Sequence, residues 1–556
     1  MKLRLFPLLW SKGEARAPLR WRIPPISIEL LLLAVSIWFA LSANTSFWQA
    51  VVRHSGRAPD ELPWLLVNVA TILIATQWSL LLLFVPRSAA KFVLPVLCIT
   101  TSAAAYLMHA YGVYLDKGML QNVFETNVAE TRELVSNDSL LWHVFVFGAL
   151  PSAALILLPV KRFGYRHAVI RRSVCIVLSI LIATGALWNA AGDLVPLFRE
   201  QKELRYLVTP ANYLTSAARV LTEAQPSGNS PKLVAAPDAI RITPSVPYKP
   251  KAFVVIVGET IRAANWGLNG YRRQTTPSLS QRQVINFEDV ESCGTSTAVS
   301  LPCMFSFRGR RNYDERQIRA TESVLHVLNR VGVTTLWRDN QAGCKGVCEG
   351  LPFESLNEAL PDCRKTQCFD EHLLDGLAKK IQSNNGDILI VLHMMGNHGP
   401  AYSLRYPPTF MRWAPVCTDV NLGLCTTSAL VNAYDNGVAY ADYVVSKAID
   451  LLGQISSHET GLLFISDHGE SLGESNVYLH GLPYVLAPDV QKRVPLVMWL
   501  SEPLSHTLAV DISCLRRTTK TPRSHDDLPS TLLGLFDVKA TAYEPKFDLL
   551  AACRRQ

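Results

Sequence analysis

The sequence predicts a chain in two parts: a transmembrane domain of five α-helices, followed by an exported α/β domain on a mainly parallel sheet. Three observations carry this. Of 556 residues, 49% are hydrophobic and only 18% charged, a balance that excludes a wholly soluble chain. The apolar excess is gathered into five uncharged stretches before residue 192. After residue 250, β-branched runs alternate with helical patterns, as in a parallel sheet covered on both faces. The net charge of +8 is spread along the chain and is no nucleic-acid footprint, while 12 Trp, 17 Tyr and 20 Phe exclude disorder.

The apolar stretches are residues 30–43, 64–85, 92–108, 140–160 and 173–191. With flanking residues such as Ile26 and Ile28 included, each crosses ~30 Å of hydrocarbon as a helix. The first lies too far from the start, and lacks the small-residue cleavage site, for a signal peptide. Orientation follows from Lys and Arg near the span ends. Lys2, Arg4, Lys12, Arg16, Arg20 and Arg22 precede the first span, Arg87 and Lys91 separate the second and third, and Lys161, Arg162, Arg166, Arg171 and Arg172 separate the fourth and fifth. These segments are cytoplasmic, which exports loop 111–138 and everything after Gly192. Glu29, near the start of the first stretch, is expected to snorkel to the interface.

The cysteines fit that topology, because disulfides persist in oxidising compartments. Cys98 and Cys175 lie within spans, and the other ten all follow residue 290. Short separations suggest Cys293 with Cys303, Cys344 with Cys348, Cys363 with Cys368 and Cys417 with Cys425, leaving Cys514 and Cys553 for a fifth pair. Sequence alone does not set connectivity. The competing reading makes Cys344, Cys348, Cys363 and Cys368 a structural zinc site.

Residues 1–192 therefore read as the transmembrane domain, with an exported loop helix at about 112–138. Residues 193–250 are a connection, amphipathic over 194–224 and then crowded with Pro226, Pro231, Pro237, Pro244, Pro247 and Pro250. Residues 251–556 form the exported domain. Its strand candidates are 252–257, 284–287, 333–337, 388–393, 462–466 and 494–499, and its helix candidates 321–331, 369–383 and 433–452. His326, His372, His458 and His506 read as helix residues, and His525, before Asp526 and Asp527, as a helix entrance.

In such sheets ligands bind at the carboxyl ends of the strands. Two ends carry metal-ligating types there: Gly258-Glu259 after the first run, and Ser466-Asp467-His468-Gly469-Glu470 after another. Carboxylate and imidazole arriving from separate strands suit Zn²⁺. Between them, Cys293-Gly294-Thr295-Ser296-Thr297 offers several hydroxyls where a helix opens, and a helix N-terminus suits both an activated hydroxyl and a phosphate.

Together these residues closely resemble the phosphoethanolamine transferases of Gram-negative bacteria, the lipid A-modifying enzymes that include the mobile colistin-resistance proteins, in the alkaline phosphatase superfamily. The resemblance spans nearly the whole chain. It rests on the five spans, Gly258-Glu259-Thr260-Ile261-Arg262, Ser292-Cys293-Gly294-Thr295-Ser296-Thr297 and Ser466-Asp467-His468-Gly469-Glu470.

The resemblance implies an alkaline phosphatase/sulfatase-like exported domain, here periplasmic, on an inner-membrane anchor with a cytoplasmic N-terminus. It implies Thr297 as catalytic nucleophile and a Zn²⁺ held by Glu259, Thr297, Asp467 and His468, with a second zinc left open near His398 and His480. Lys345, His398 and His480 would bind the substrate phosphate. Asn122, Thr126 and Glu130, one polar stripe at helical spacing, would hold the ethanolamine head group. The implied reaction moves phosphoethanolamine from phosphatidylethanolamine to lipid A, releases diacylglycerol and gives polymyxin resistance. Inner-core sugar is the alternative acceptor. The expected partners are donor lipid, lipopolysaccharide and membrane, with the chain acting as a monomer. A phosphoglycerol transferase of the lipoteichoic acid synthase type shares the spans and metal-threonine site but not ten exported cysteines. A sulfatase is disfavoured by the missing Cys-x-Pro-x-Arg signal and the expected Cys293 bridge. Intact metal ligands argue against a non-catalytic lipid-binding scaffold.

Overall fold

The computed structural model describes residues 24–125, 138–223, 232–242, 248–356 and 368–555. The membrane half consists of α1 (Ile28–Ser42), α2 (Thr45–His54), α3 (Leu62–Phe84), α4 (Arg87–Tyr111), the exported loop helix α5 (Lys117–Glu125), α6 (Asp138–Leu157) and α7 (Tyr165–Glu200). Four of these, α3, α4, α6 and α7, are long and apolar enough to cross a membrane. The first expected span is a bent pair. At 1.5 Å per residue, 15-residue α1 reaches only about 22 Å, and α2 continues from it at 59°. The break has a cause: buried Asn44 donates to Phe39 O (2.8 Å) and Thr209 O (3.0 Å) and accepts from Thr209 N (2.9 Å), tying the bend to the exported connection. Glu29 does not snorkel. It is 4% exposed and turns inward to Arg171, 3.4 Å away, whose own side chain is 43% exposed and carries the pair to the bundle surface.

Helix α7 runs past its apolar stretch to Glu200, and after a 3₁₀ turn (Lys202–Tyr206) the amphipathic α8 (Ala211–Glu223) follows. Further along, Ile240–Arg241 pairs with Val538–Lys539, so the Pro-rich connection is laid against the domain it leads to.

The C-terminal domain is built on seven strands: β1 (Lys251–Gly258), β2 (Ile285–Phe287), β3 (Thr334–Asp339), β4 (Phe353–Ser355), β5 (Ile388–His393), β6 (Glu459–Ser466) and β7 (Leu496–Leu500). Their order is β2-β7-β6-β1-β5-β3-β4, parallel except for β7, which runs against both neighbours. The fully buried β1 run, Val254 to Val257, sits between β5 and β6 with a hydrophobic core on each face, as its unbroken β-branched pattern requires. Register brings four strand ends together, with Val257 opposite His393, Gly258 opposite Ser466 and Asp339 opposite His393.

The expected helix at 369–383 is split into a 3₁₀ turn (Asp370–Leu374) and a short helix (Leu377–Gln382), because Gly376 takes a left-handed φ of 68° between them. His458 lies in the turn before β6 and not in a helix, since the chain there is already extending into the sheet. Cys293–Cys303, Cys344–Cys348, Cys417–Cys425 and Cys514–Cys553 are disulfides. Cys368 is also disulfide-bonded, while its expected partner Cys363 lies outside the described residues. The four-cysteine zinc reading fails, because thiols joined as Cys344 to Cys348 are not thiolate ligands.

Candidate active site

The hydroxyl-rich segment 292–297 leaves the sheet region and turns into α9 (Thr297–Met304), with Ser296 at the N-cap and Thr297 as its first residue. Thr297 is thereby held at the amino end of the helix, facing the carboxyl ends of β1 and β6. Its Oγ1 lies 3.0 Å from each carboxylate oxygen of Glu259 and 3.4 Å from His468 Nε2. Asp467 Oδ2 is 3.3 Å from the same imidazole nitrogen and has no hydrogen bond of its own. The four residues expected to hold a metal are therefore one cluster, all buried.

His480 joins them. Ligand atoms of Glu259, His468 and His480 lie within 4.8 Å of one another, and the His468 and His480 rings are 4.3 Å apart. Buried carboxylates and imidazoles converging on a hydroxyl, with Asp467 Oδ2 left unpaired, form a donor set that fits a divalent cation such as Zn²⁺. Glu470 accepts at 3.2 Å from His480 Nδ1 and so orients that ring.

Charge coupling is strong here. Burial pushes Glu259 upward, but the adjacent His393 and His468 imidazoles outweigh it and hold the carboxyl well below its ordinary range. Burial, reinforced by the Glu259 charge, raises Asp467 to about 7. Burial raises Glu470 to about 8. His468 rises to about 9, the Asp467 and Glu259 charges overcoming its burial. Carboxylates crowded this closely repel one another until a cation joins them.

Three residues in the site escaped the sequence reading as functional. His393, the last residue of β5, donates Nδ1–H to Asp339 Oδ1 at 2.7 Å and points Nε2 at Glu259, 3.8 Å away. Asp339 also accepts from the backbone of Gln341 and Gly343, so one carboxylate sets both the ring and the loop leading to Lys345. His525 precedes a helix as expected (Asp527–Leu535), but it is fully buried behind the nucleophile. Its Nδ1 accepts from Cys293 N at 3.0 Å and its Nε2–H donates to Ser466 O at 2.9 Å, joining the nucleophile segment to the end of β6. The available signal was position at a strand's carboxyl end for Asp339 and His393; His525 had none.

A cavity of about 140 Å³ opens over Thr297. Lys345, His398 and His480 line it from the exported domain, while Leu107, Tyr111, Met119, Asn122 and Val123 line it from the membrane half. Helix α5 packs against α9, and Lys117 pairs with Glu315 at 2.9 Å. Tyr111 donates to Val420 O at 3.0 Å. Thr126 and Glu130 lie outside the described residues. Thr260 and Lys345 hold left-handed φ values of 55° and 50°, strain concentrated beside the site.

A hydroxyl at a helix start, facing a cluster that fits a metal ion at the ends of a mainly parallel sheet, defines a group-transfer enzyme of the alkaline phosphatase superfamily set on a membrane anchor. The Sulfatase family model matches residues 251–538, and the model described as Phosphoethanolamine transferase EptA/EptB matches 73–224. Phosphoethanolamine transferase EptA of Escherichia coli K12 is 37% identical over 96% of this chain and 98% of its own. Phosphatidylethanolamine transferase Mcr-1 of Escherichia coli is 35% identical over 94% and 97%. The solved lipooligosaccharide phosphoethanolamine transferase A of Neisseria meningitidis, an integral membrane protein, superposes with a TM-score of 0.92 at 34% identity, over 96% of this chain and all of that one. The chain belongs to the phosphoethanolamine transferase family.

Proposed function

We propose that this chain transfers phosphoethanolamine from phosphatidylethanolamine to lipid A, working from the periplasmic face of the inner membrane with its N-terminus cytoplasmic. The observation that carries the reading is the cavity over Thr297, whose walls come from both halves of the molecule, so that a lipid phosphate at the membrane surface reaches the nucleophile.

Glu259 accepts the Thr297 hydroxyl hydrogen bond and orients the oxygen for in-line attack on phosphorus. The Thr297 Oγ–P bond forms, its hydroxyl proton passing to the Glu259 carboxylate that accepts its hydrogen bond, as the bond from phosphorus to the diacylglycerol oxygen breaks. The leaving oxygen takes a proton from an imidazole facing the cavity, His398 or His480. A lipid A phosphate then attacks the phosphoethanolamine-threonine, its acid proton reprotonating the imidazole, and the Oγ–P bond breaks as Glu259 returns the proton to Thr297 Oγ. Lys345, with the amide groups at the start of α9, balances charge on the phosphoryl oxygens. Glu259, Thr297, Asp467 and His468 would hold one Zn²⁺, with His480 near enough to join them. When bound, the cation supplies the Lewis acidity that makes an alcohol nucleophilic at neutral pH. Asn122, on the cavity wall, would meet the ethanolamine, and Thr126 and Glu130 would extend that contact.

Mass spectrometry of lipid A and core oligosaccharide from a host expressing the chain tests this. One phosphoethanolamine added to lipid A, with polymyxin resistance, is the expected result. Modification confined to the core would reassign the acceptor, and no modification would overturn the proposal.

A further inference from the structure

Beyond the end of α7 the chain builds a second cavity that the transfer reaction does not use. It holds about 220 Å³ and is lined by Arg205, Tyr206, Asn212, Thr215, Ser216 and Arg219. The neutral walls are satisfied internally. Asn212 Nδ2 donates to Tyr206 O at 2.8 Å, Thr215 Oγ1 to Ala211 O at 2.7 Å and Ser216 Oγ to Leu115 O at 3.0 Å. The two guanidinium groups differ. Arg205 donates to the Tyr206 hydroxyl at 2.9 Å and lies 4.7 Å over its ring, which directs the charge without neutralising it. Among the described residues no carboxylate lines the cavity, and neither Arg205 nor Arg219 has an ion-pair partner.

We propose that this cavity binds the phosphate of an anionic membrane lipid, with Arg205 and Arg219 as its receptors. Guanidinium groups match phosphate oxygens in charge and geometry. The position selects a lipid: the cavity lies between α8 and the 3₁₀ turn that follows the last membrane helix. Val195 on α7 is 61% exposed and Leu221 on α8 is 72% exposed, apolar side chains that suit the bilayer boundary on either side of the cationic pair. Lipid phosphates lie at that depth, and each nearby Arg adds to the attraction. The site would seat the amphipathic connection on the leaflet, holding the exported domain low.

The test uses full-length enzyme in detergent and native mass spectrometry with phosphatidylglycerol as probe, against phosphatidylcholine and inorganic phosphate. Wild type is expected to bind the first phosphatidylglycerol about tenfold more tightly than the Arg205→Ala, Arg219→Ala double variant, and more tightly than phosphatidylcholine. Arg205→Lys with Arg219→Lys should retain most of the preference. If the double alanine variant is unstable, Arg219→Gln alone carries the test with a loss of roughly threefold. Equal affinity of wild type and variants for phosphatidylglycerol overturns the proposal. Displacement of that lipid by millimolar inorganic phosphate also overturns it, by showing a free-anion site. No transfer is measured, so the outcome is independent of which lipid accepts phosphoethanolamine.

Discussion

Replacing His525 with Leu removes a side chain that touches neither substrate nor metal ligand, yet it should damage both stability and turnover. The imidazole is fully buried and bridges Cys293 N to Ser466 O through its two nitrogens. Leu matches its bulk but pairs with neither group, leaving one buried N–H and one buried C=O unsatisfied at about 1–3 kcal/mol each, or roughly 2–6 kcal/mol together. Those groups lie four residues before Thr297 and one residue before Asp467. Part of the loss should therefore appear as misalignment of nucleophile and metal cluster, with kcat falling more than KM rises. The pH dependence gives a second signature. Burial lowers His525 to about 3 from its ordinary 6.5, so the folded protein keeps the ring neutral where the unfolded chain protonates it. This contribution to stability is complete above pH 6.5 and is lost as pH falls from 6.5 towards 3. His525→Leu should flatten that acid-side loss. Thermal melting across pH and transfer from a fluorescent phosphatidylethanolamine analogue would measure both. Wild-type turnover together with an unchanged acid-side slope would refute the reasoning.

Thr297→Ala should fold and melt like wild type but transfer nothing; peptide mass spectrometry with acceptor withheld should find phosphoethanolamine on Thr297, and finding it on Thr295 would move the nucleophile. Chelation should abolish transfer while the disulfide-braced domain stays folded, and full turnover with no metal by elemental analysis would require another mechanism. Gly437→Ala sets a methyl group 1.9 Å from Asn397 Oδ1, whose backbone N–H donates to Glu259 O at 3.0 Å; kcat should fall at least about tenfold, and an active variant would show that this loop is free to yield. Glu130→Ala should weaken use of the ethanolamine donor with zinc content unchanged, measured by donor titration and elemental analysis.

Much of this was legible in the chain. A 20-residue apolar run admits few structures in hydrocarbon, and a β-branched run ending in Gly258-Glu259 admits few beside a helix-rich background, so spans, central strands and strand-end ligands could be read locally. Thr297 is different: capping alone would suit any hydroxyl of its segment, and the family likeness singled it out. Tertiary structure decided the rest. Asp339 and His393 look like ordinary strand residues until register sets them beside Glu259, and His525 acquires its partners across 232 residues of chain. Glu29 finds its charge partner, Arg171, across 142 residues of chain. Hydrophobic periodicity and turn chemistry are properties of neighbours in sequence and are written there. Strand register, the break at Asn44 and the joining of α5 to α9 depend on which distant surfaces meet, and that is set by packing of the whole chain.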